Sequence, residues 1–271
     1  MSADAIFLSL SYINWVVVSA LAVGSHAAVL LLTYRSTPTR GYRGFTVFAA
    51  GGWAFLAWLA DGALPSPAAG SPIQAAGADL DALRRLLLVC VASLATLWML
   101  RIARGSDGRF IGVVTVGTGI AALLVASVGW APSVGIAIAL ALQLLLLAAV
   151  TGGAFAAMVL AHWYLVTPKL PEAPLLLISR ALGIGVALQI VLFFAWHLVG
   201  LGGFGSGWDF FAILRFVIGL TFPAALTYGG WRTARVRSME SATGLLYIDL
   251  GAVATGTILA AGLFFGAGIL V

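Results

Sequence analysis

The sequence predicts an all-α protein, a polytopic bundle of about eight transmembrane helices with both termini on the non-cytoplasmic side. Of its 271 residues, 62% are hydrophobic and only 8% are charged, and the mean hydropathy is +1.10. A water-soluble domain carries charge on roughly a quarter of its residues, so this chain is expected to lie in a membrane. Runs of about 20 apolar residues, enough to cross the hydrocarbon core, recur along the whole chain.

The predicted spans are 6–33, 45–64, 84–103, 110–130, 134–165, 174–200, 209–229 and 241–270. The links between them are short and contain Pro, Gly or charged residues, as in "TYRSTPTRGYRG" and "WAPS". The longest link, "PSPAAGSPIQAAGADLDA", has room for a surface turn but for no second domain, so residues 1–271 are predicted to form one membrane domain. No basic segment or cleavage site marks the first run as a signal peptide, and it is predicted to remain as a span.

The basic residues indicate the orientation, because Lys and Arg accumulate in cytoplasmic loops. One set of alternating links and span ends holds Arg35, Arg40, Arg43, Arg101, Arg104, Arg109, Lys169, Arg232, Arg235 and Arg237. The opposite set holds only Arg84 and Arg85. The first set is therefore predicted to face the cytoplasm, with the protein in the cell (inner or plasma) membrane. This distribution explains the basic composition, and nucleic-acid binding is not predicted.

Several classes of membrane protein lack their required residues here. A retinal protein needs a lysine within a span, and the single lysine, Lys169, lies in a link. The zinc-protease motif HExxH is absent, and Cys90 has no partner for a disulfide. No motif of the first four spans recurs in the last four, so no internal repeat is predicted, and no catalytic residue is predicted either.

Ionisable side chains within the spans are the candidate functional residues, because each one is costly in a bilayer. They are His26, Asp61, Arg101, His162, Arg180, His197, Arg215 and Asp249. From the helical rise, His26, His162 and Asp249 are predicted to lie at one depth on the cytoplasmic side. Asp61, His197 and Arg215 form a second group towards the outer side.

Two histidines at one depth on different spans are what a six-coordinate haem b requires, so His26 and His162 are candidate ligands of haem iron. Met158, one turn before His162, is a candidate packing residue or weaker ligand. Arg180 is a candidate partner for the propionates. The alternatives are that His162 in "HWY" and His197 in "FAWHLVG" belong to aromatic belts, and that His26 is a buried hydrogen-bonding histidine.

The acidic and basic residues need partners of their own. Arg180, Arg101 or a histidine is the expected partner of Asp249, which in its protonated form could carry protons or hydrogen-bond a quinone. Arg215 is expected to reach outward or to pair with Asp61 or Asp209.

Three functions follow from these residues. The first is a redox subunit of a respiratory or photosynthetic complex, which binds haem b or contacts quinone and exchanges electrons with a donor or acceptor protein. The second is a transporter or channel in which Asp61, Arg180, Arg215 and Asp249 line a path, with Pro223 as a kink. The third is a non-catalytic scaffold subunit that binds lipids and other membrane subunits.

Overall fold

The computed structural model of the chain describes residues 3–167 and 169–271, with side chains from Ser9 onward. Within those residues the secondary structure is helical, with no β-strand. Eight helices are long and apolar enough to cross a membrane, which confirms the predicted all-α fold class and a multi-pass membrane protein. Their orientation relative to the cytoplasm stays a prediction.

We number the spans 1 to 8 in chain order. They comprise Ala3–Arg35, Arg40–Asp61, Ala78–Ala103, Arg109–Trp130, Val134–Val166, Ala173–Leu198, Asp209–Arg235 and Met239–Ala267. Spans 1, 3, 5 and 7 end at what we call the basic end of the bundle, where Arg35 and Arg235 lie, and the other end is the opposite end. Span 3 begins before its predicted start because Asp79 and Asp81 occupy its first turn, where acidic residues favour a helix N-terminus.

Local sequence explains where several spans begin and end. The Thr39 hydroxyl accepts a hydrogen bond from the backbone N–H of Tyr42 and so caps span 2. Ser133 caps span 5 in the same way through Ile136. Gly268 follows span 8 in the left-handed conformation, with φ of 72°, which favours glycine and ends the helix.

The spans form two rings of four. Spans 1 to 4 pack in a cycle in which each contacts the next and span 4 returns to span 1, and spans 5 to 8 repeat this cycle. Spans 1 and 5 lie at the centre and join the two halves. Span 1 also contacts spans 8 and 6, and span 5 makes the corresponding contacts with spans 4 and 2.

The close approach of spans 1 and 5 depends on two glycines. A Cβ at Gly24 would overlap the carbonyl group of Ala148, and a Cβ at Gly152 would overlap the backbone of Gly24 and Ser25. Small residues let transmembrane helices approach to backbone contact. The Ser25 hydroxyl donates a hydrogen bond of 3.2 Å to the Gly152 carbonyl across this crossing.

The two halves have the same pattern of helix contacts, because exchanging spans 1 to 4 with spans 5 to 8 maps each helix contact onto another. The register agrees: the shift in residue number that carries Gly24 onto Gly152 also carries Asp61 onto Gln189. Under this shift five of the eight buried positions of span 2 fall on buried residues of span 6. Thr46, Val47, Ala50, Ala54 and Asp61 correspond to Pro174, Leu175, Ile178, Leu182 and Gln189. The sequence contains no repeated motif, yet the two halves share this pattern of helix contacts and this register. Sequence comparison misses the repeat because it is a pattern of burial and not of residue identity.

Span 7 differs from span 3 by a π-helical turn, Val217–Thr221, just before Pro223. Proline has no N–H, and its ring clashes with the carbonyl four residues earlier, which here belongs to Gly219. The wider turn accommodates the ring, and Arg215 Nη1 donates a hydrogen bond of 2.6 Å to the Gly219 carbonyl. The predicted kink at Pro223 is thus a π turn, and it adds one residue relative to span 3.

The remaining spans correspond as well. Beyond the π turn, four buried residues of span 3 fall on buried residues of span 7. Val91, Ala95, Trp98 and Ile102 correspond to Pro223, Thr227, Gly230 and Ala234. In spans 4 and 8, the buried residues Thr115, Gly119, Ala122, Ala126 and Trp130 fall on Asp249, Val253, Gly256, Ala260 and Phe264. Many buried residues of the spans in one half therefore have a counterpart in the other half, which serves as an internal reference.

Candidate functional site

A groove of about 360 Å³ lies between spans 6 and 7 and opens sideways, at the circumference of the bundle. We call it the polar groove. It is lined by Ser179, Arg180, Gly183, Ala187, Ile190, Ala224, Thr227, Tyr228 and Trp231. The groove side of span 6 carries small residues every four positions, Ser179, Gly183 and Ala187, and these leave the space open. At Gly183 even a Cβ would contact the Thr227 methyl group, at 3.7 Å.

Asp249 lies directly behind this groove, on span 8, and is completely buried. Its Oδ2 accepts a hydrogen bond of 2.7 Å from the hydroxyl of Thr227, which itself lines the groove. Its Oδ1 has no hydrogen-bond partner among the described residues. The sequence-based expectation that Arg180, Arg101 or a histidine pairs with Asp249 is therefore wrong, because a threonine is the partner. A carboxyl group without a cationic partner in such a place is a candidate proton carrier.

The groove also carries polar groups that lack protein partners. The hydroxyl of Ser179 and the indole Nε1 of Trp231 are buried and make no hydrogen bond to the described part of the chain. The guanidinium of Arg180 lies 5.6 Å from the centre of the Trp231 ring, and no carboxylate of the described residues pairs with it. Buried polar groups in native proteins are normally hydrogen-bonded, so unpaired donors around a cavity indicate room for a ligand with acceptor atoms.

The first half contains the counterpart of this groove. A groove of about 430 Å³ lies between spans 2 and 3, and we call it the apolar groove. Seven of its residues correspond to residues of the polar groove. On span 2 they are Gly51, Gly52 and Phe55, the counterparts of Ser179, Arg180 and Gly183. On span 3 they are Ala92, Ala95, Thr96 and Met99, the counterparts of Ala224, Thr227, Tyr228 and Trp231. Each half thus builds a cavity at the same place.

Both grooves have mainly apolar walls, and they differ in the side chains at particular equivalent positions. Where the polar groove has Arg180, Thr227 and Trp231, the apolar groove has glycine, alanine and methionine, and the counterpart of Asp249 is Thr115. The fold forms its cavity without these polar residues in the first half. Packing alone therefore does not require them in the second half, and their presence favours a role in binding or proton transfer.

Unlike the polar residues of the groove, a buried arginine occurs in both halves. Arg84 on span 3 donates a hydrogen bond of 2.5 Å to Asp61, and its counterpart Arg215 on span 7 donates one of 3.1 Å to Gln189, the counterpart of Asp61. The expected pairing of Arg215 with Asp61 or Asp209 is wrong. A buried arginine bonded to the neighbouring span is thus common to both halves.

The histidines do not meet. His26 is completely buried and stacks on Trp98 of span 3, with ring centres 6.0 Å apart, beside backbone groups of Ala22 and Val47. His162 is exposed, and its Nδ1 lies 3.2 Å from the hydroxyl of Tyr247 on span 8. The two rings thus point into different interfaces, one within the first half and the other at the rim of the second.

The other predicted ligands lie elsewhere. Met158 packs on the apolar core of the second half, and exposed His197 contacts the ring of Phe204 at 5.0 Å between centres, at the opposite end. Neither His26 nor His162 lines a cavity described here. The described residues also contain no group of three or more His, Cys, Asp or Glu side chains that could hold a metal ion. Haem binding by this histidine pair stays a prediction, and the contacts of the two rings do not fit it.

Sequence reasoning found Arg180 and Asp249 but missed Ser179, Thr227 and Trp231. The signal in the sequence was the spacing of Thr227 and Trp231, which are four residues apart and so share one face of span 7. No protein-family model, curated protein or solved structure matches the chain. The interpretation of the site therefore depends on its geometry and on the internal comparison.

Proposed function

We propose that this protein is a multi-pass subunit of a quinone-linked electron-transfer complex in the cell membrane, and that the polar groove binds the quinone headgroup. The observation that carries the proposal is the buried carboxyl group of Asp249, which reaches a groove on the outer surface through Thr227. The equivalent groove of the first half has neither residue.

The chemistry of the groove suits a quinone. A quinone reaches its site through the bilayer, and its two ring oxygens accept hydrogen bonds. Arg180, Ser179 and Trp231 supply donors, and the rings of Tyr228 and Trp231 supply flat apolar surfaces for the quinone ring. The volume of about 360 Å³ lies within the range of small-molecule sites.

Asp249 and Thr227 can supply a proton to the bound ring. Reduction of a quinone to a quinol takes two electrons and two protons, and an electron-carrying partner protein supplies the electrons. A hydroxyl both donates and accepts, so when Asp249 is protonated the Thr227 hydroxyl can turn, give its proton to the nearer quinone oxygen and take the proton of Asp249. The second proton, for the other ring oxygen, comes from water at the open side of the groove. The carboxylate that results is protonated again from the basic end, where the exposed Arg180 marks the mouth of the groove.

The experiment is to purify the protein in a mild detergent and measure extracted quinone by chromatography. We expect close to one quinone per chain. The double variant Arg180→Gly, Trp231→Met has at these two positions the residues of the apolar groove, so we expect it to fold and to lose the quinone. The control variant Met99→Ala lies in the apolar groove, and we expect it to keep the quinone. A purified protein that contains only phospholipid, with or without the two substitutions, would overturn the proposal.

Transport is the second candidate, because the two equivalent halves run in parallel, as in transporters built from parallel repeats. Its expected path residues lie apart, however. Asp61 is ion-paired with Arg84 in the first half, and Arg215 is bound to Gln189 and Gly219 in the second. An ion flux in liposomes that Asp249→Asn abolishes would favour transport. A scaffold role, with lipids and neighbouring subunits on the apolar outer surface, predicts that none of these variants changes a bound ligand.

A further inference from the structure

A second pocket, of about 390 Å³, lies at the opposite end of the first half. It is formed by the ends of spans 2 and 4, the start of span 3 and the link after span 2. Its polar and aromatic lining includes Tyr12, Asp61, Asp81, Arg84, Arg85 and Trp130. The proposed function uses none of these residues. Because the spans end here, we expect the pocket to lie at the level of the lipid headgroups, where Tyr and Trp are enriched.

The charges of the pocket are only partly neutralised by one another. Arg84 is buried and donates a hydrogen bond of 2.5 Å to Asp61 through Nε. Its Nη1 lies 2.8 Å from an oxygen of Asp81, which makes an ion pair without the geometry of a hydrogen bond. One guanidinium thus serves two carboxylates. Arg85, the next residue, has no acidic partner among the described residues, and its guanidinium lies 5.3 Å from the centre of the Trp58 ring. The pocket therefore offers one surplus negative charge and one surplus positive charge on separate side chains.

The second half shows which charged residues of this pocket have a charged counterpart and which do not. The counterpart of Arg84 is Arg215, so a buried arginine belongs to the repeat. The counterparts of Asp61, Asp81 and Arg85 are Gln189, Ala212 and Phe216, which carry no charge. The additional charges are specific to the first half, and all three line the pocket.

We propose that this pocket binds a small zwitterion that joins an ammonium group to a phosphate or carboxylate, as in the headgroup of an ethanolamine phospholipid. The ammonium group lies against Asp81, whose side chain is 50% exposed, and the anionic group lies against Arg85. A ligand with both charges satisfies both surplus groups, whereas an ion of one sign leaves one of them unpaired at the membrane boundary. The ligand comes from the lipid itself or from a free zwitterion in the aqueous phase.

The test is native mass spectrometry of the purified protein with phosphatidylethanolamine, phosphatidylglycerol and phosphatidylcholine as probes. We expect phosphatidylethanolamine to bind best, because its ammonium group donates hydrogen bonds that the quaternary group of phosphatidylcholine cannot donate. Asp81→Asn and Arg85→Gln should each weaken its binding roughly tenfold, the value of one charge-assisted hydrogen bond. Asp79→Asn, in the same helical turn but outside the pocket, is the control and should change nothing.

Competition identifies the source of the ligand. Soluble phosphoethanolamine that displaces the lipid supports a site filled from water, and failure to displace it supports a lipid site. Asp81→Glu keeps the charge and should keep binding, which separates loss of a contact from misfolding. Preferential binding of phosphatidylglycerol would overturn the proposal, and so would equal effects of Asp79→Asn and Asp81→Asn.

Discussion

The Thr227 hydroxyl donates a hydrogen bond of 2.7 Å to Oδ2 of Asp249 across spans 7 and 8. The same two positions in the first half hold Ala95 and Thr115, which are buried too and form no such bond. Thr115 instead bonds the Ile111 carbonyl of its own helix at 2.7 Å. One fold thus accommodates a pair without a carboxyl group and a pair with one at equivalent places, and the pair with the carboxyl group stands next to the polar groove.

Replacing the acidic pair by its counterparts should leave the fold intact. The double variant Thr227→Ala, Asp249→Thr reproduces the residues of the first half, and removing a buried carboxyl group together with its partner leaves no orphaned atom. We expect the free energy of unfolding to change by no more than about 1 kcal/mol. Thermal unfolding in detergent measures this. A loss of several times that value would show that Asp249 is a structural residue.

The protonation of Asp249 should be visible by infrared spectroscopy. If Asp249 exchanges a proton with the quinone, reduced-minus-oxidised difference spectra should contain the C=O stretching band of a protonated carboxyl group, and Asp249→Asn should remove it. Asp79→Asn is exposed and distant from the groove, so it should leave the band unchanged. A band that survives Asp249→Asn would assign the proton to another residue.

The sequence predicted the architecture well, because each span needs a long apolar run and such runs are visible without any contact information. It also placed Asp249 and Arg180 on the same side of the membrane, since depth follows from the helical rise. Span ends were less accurate. The start of span 3 is favoured by Asp79 and Asp81 in its first turn, where acidic residues suit a helix N-terminus, and a count of apolar residues ignores this effect.

Which residues face each other could not be read from the chain. His26 and His162 have suitable depths for a pair, but depth does not determine the direction of a side chain around its helix axis, and the rings face Trp98 and Tyr247 instead. The partner of Asp249 depends on the rotation of span 7, which the π turn sets. The repeat was hidden for a similar reason, since bilayer-spanning helices share burial patterns while their residue identities diverge.

Gly24 should be the least tolerant position of the central crossing. A Cβ there overlaps the backbone of Ala148, which cannot move without separating spans 1 and 5. We expect Gly24→Ala to lower the free energy of unfolding by about 3 kcal/mol. In contrast, Gly117→Ala has open space around its Cβ and should stabilise span 4 by up to about 1 kcal/mol. Comparable melting temperatures for the two variants would contradict the crossing.

The ion pair between Arg43 and Asp107 at the basic end should make stability depend on acid. Arg43 donates a hydrogen bond of 2.8 Å to the Asp107 carboxylate and holds the pKa of that carboxyl below its usual value. A depressed pKa in the folded state means that the contribution is fully present above about pH 4 and is lost as the pH falls further. We expect Asp107→Asn to lower the melting temperature slightly at neutral pH and to have no effect in strong acid. Asp79→Asn is the control, and a difference that persists in strong acid would contradict the assignment.

Arg215 should be needed because of Pro223. Proline cannot donate to the Gly219 carbonyl, and Arg215 Nη1 fills that role at 2.6 Å while Nη2 bonds Gln189 at 3.1 Å. Arg215→Met leaves both acceptors buried without a donor, so we expect a loss of about 3 kcal/mol. Pro223→Ala restores a backbone N–H that can reach Gly219, so Arg215→Met should cost about 1 kcal/mol less in that background.

A double-mutant cycle of the four proteins measures this coupling by thermal or denaturant unfolding. The corresponding variant Arg84→Met, in the plain helix of span 3, is the control. The counterpart of Pro223 is Val91, which keeps its N–H, so Val91→Ala should not change the cost of Arg84→Met. Equal costs of Arg215→Met with proline and with alanine at position 223 would mean that Arg215 acts through Gln189 alone. In that case the π turn could not be explained by Arg215 replacing the backbone N–H that Pro223 lacks.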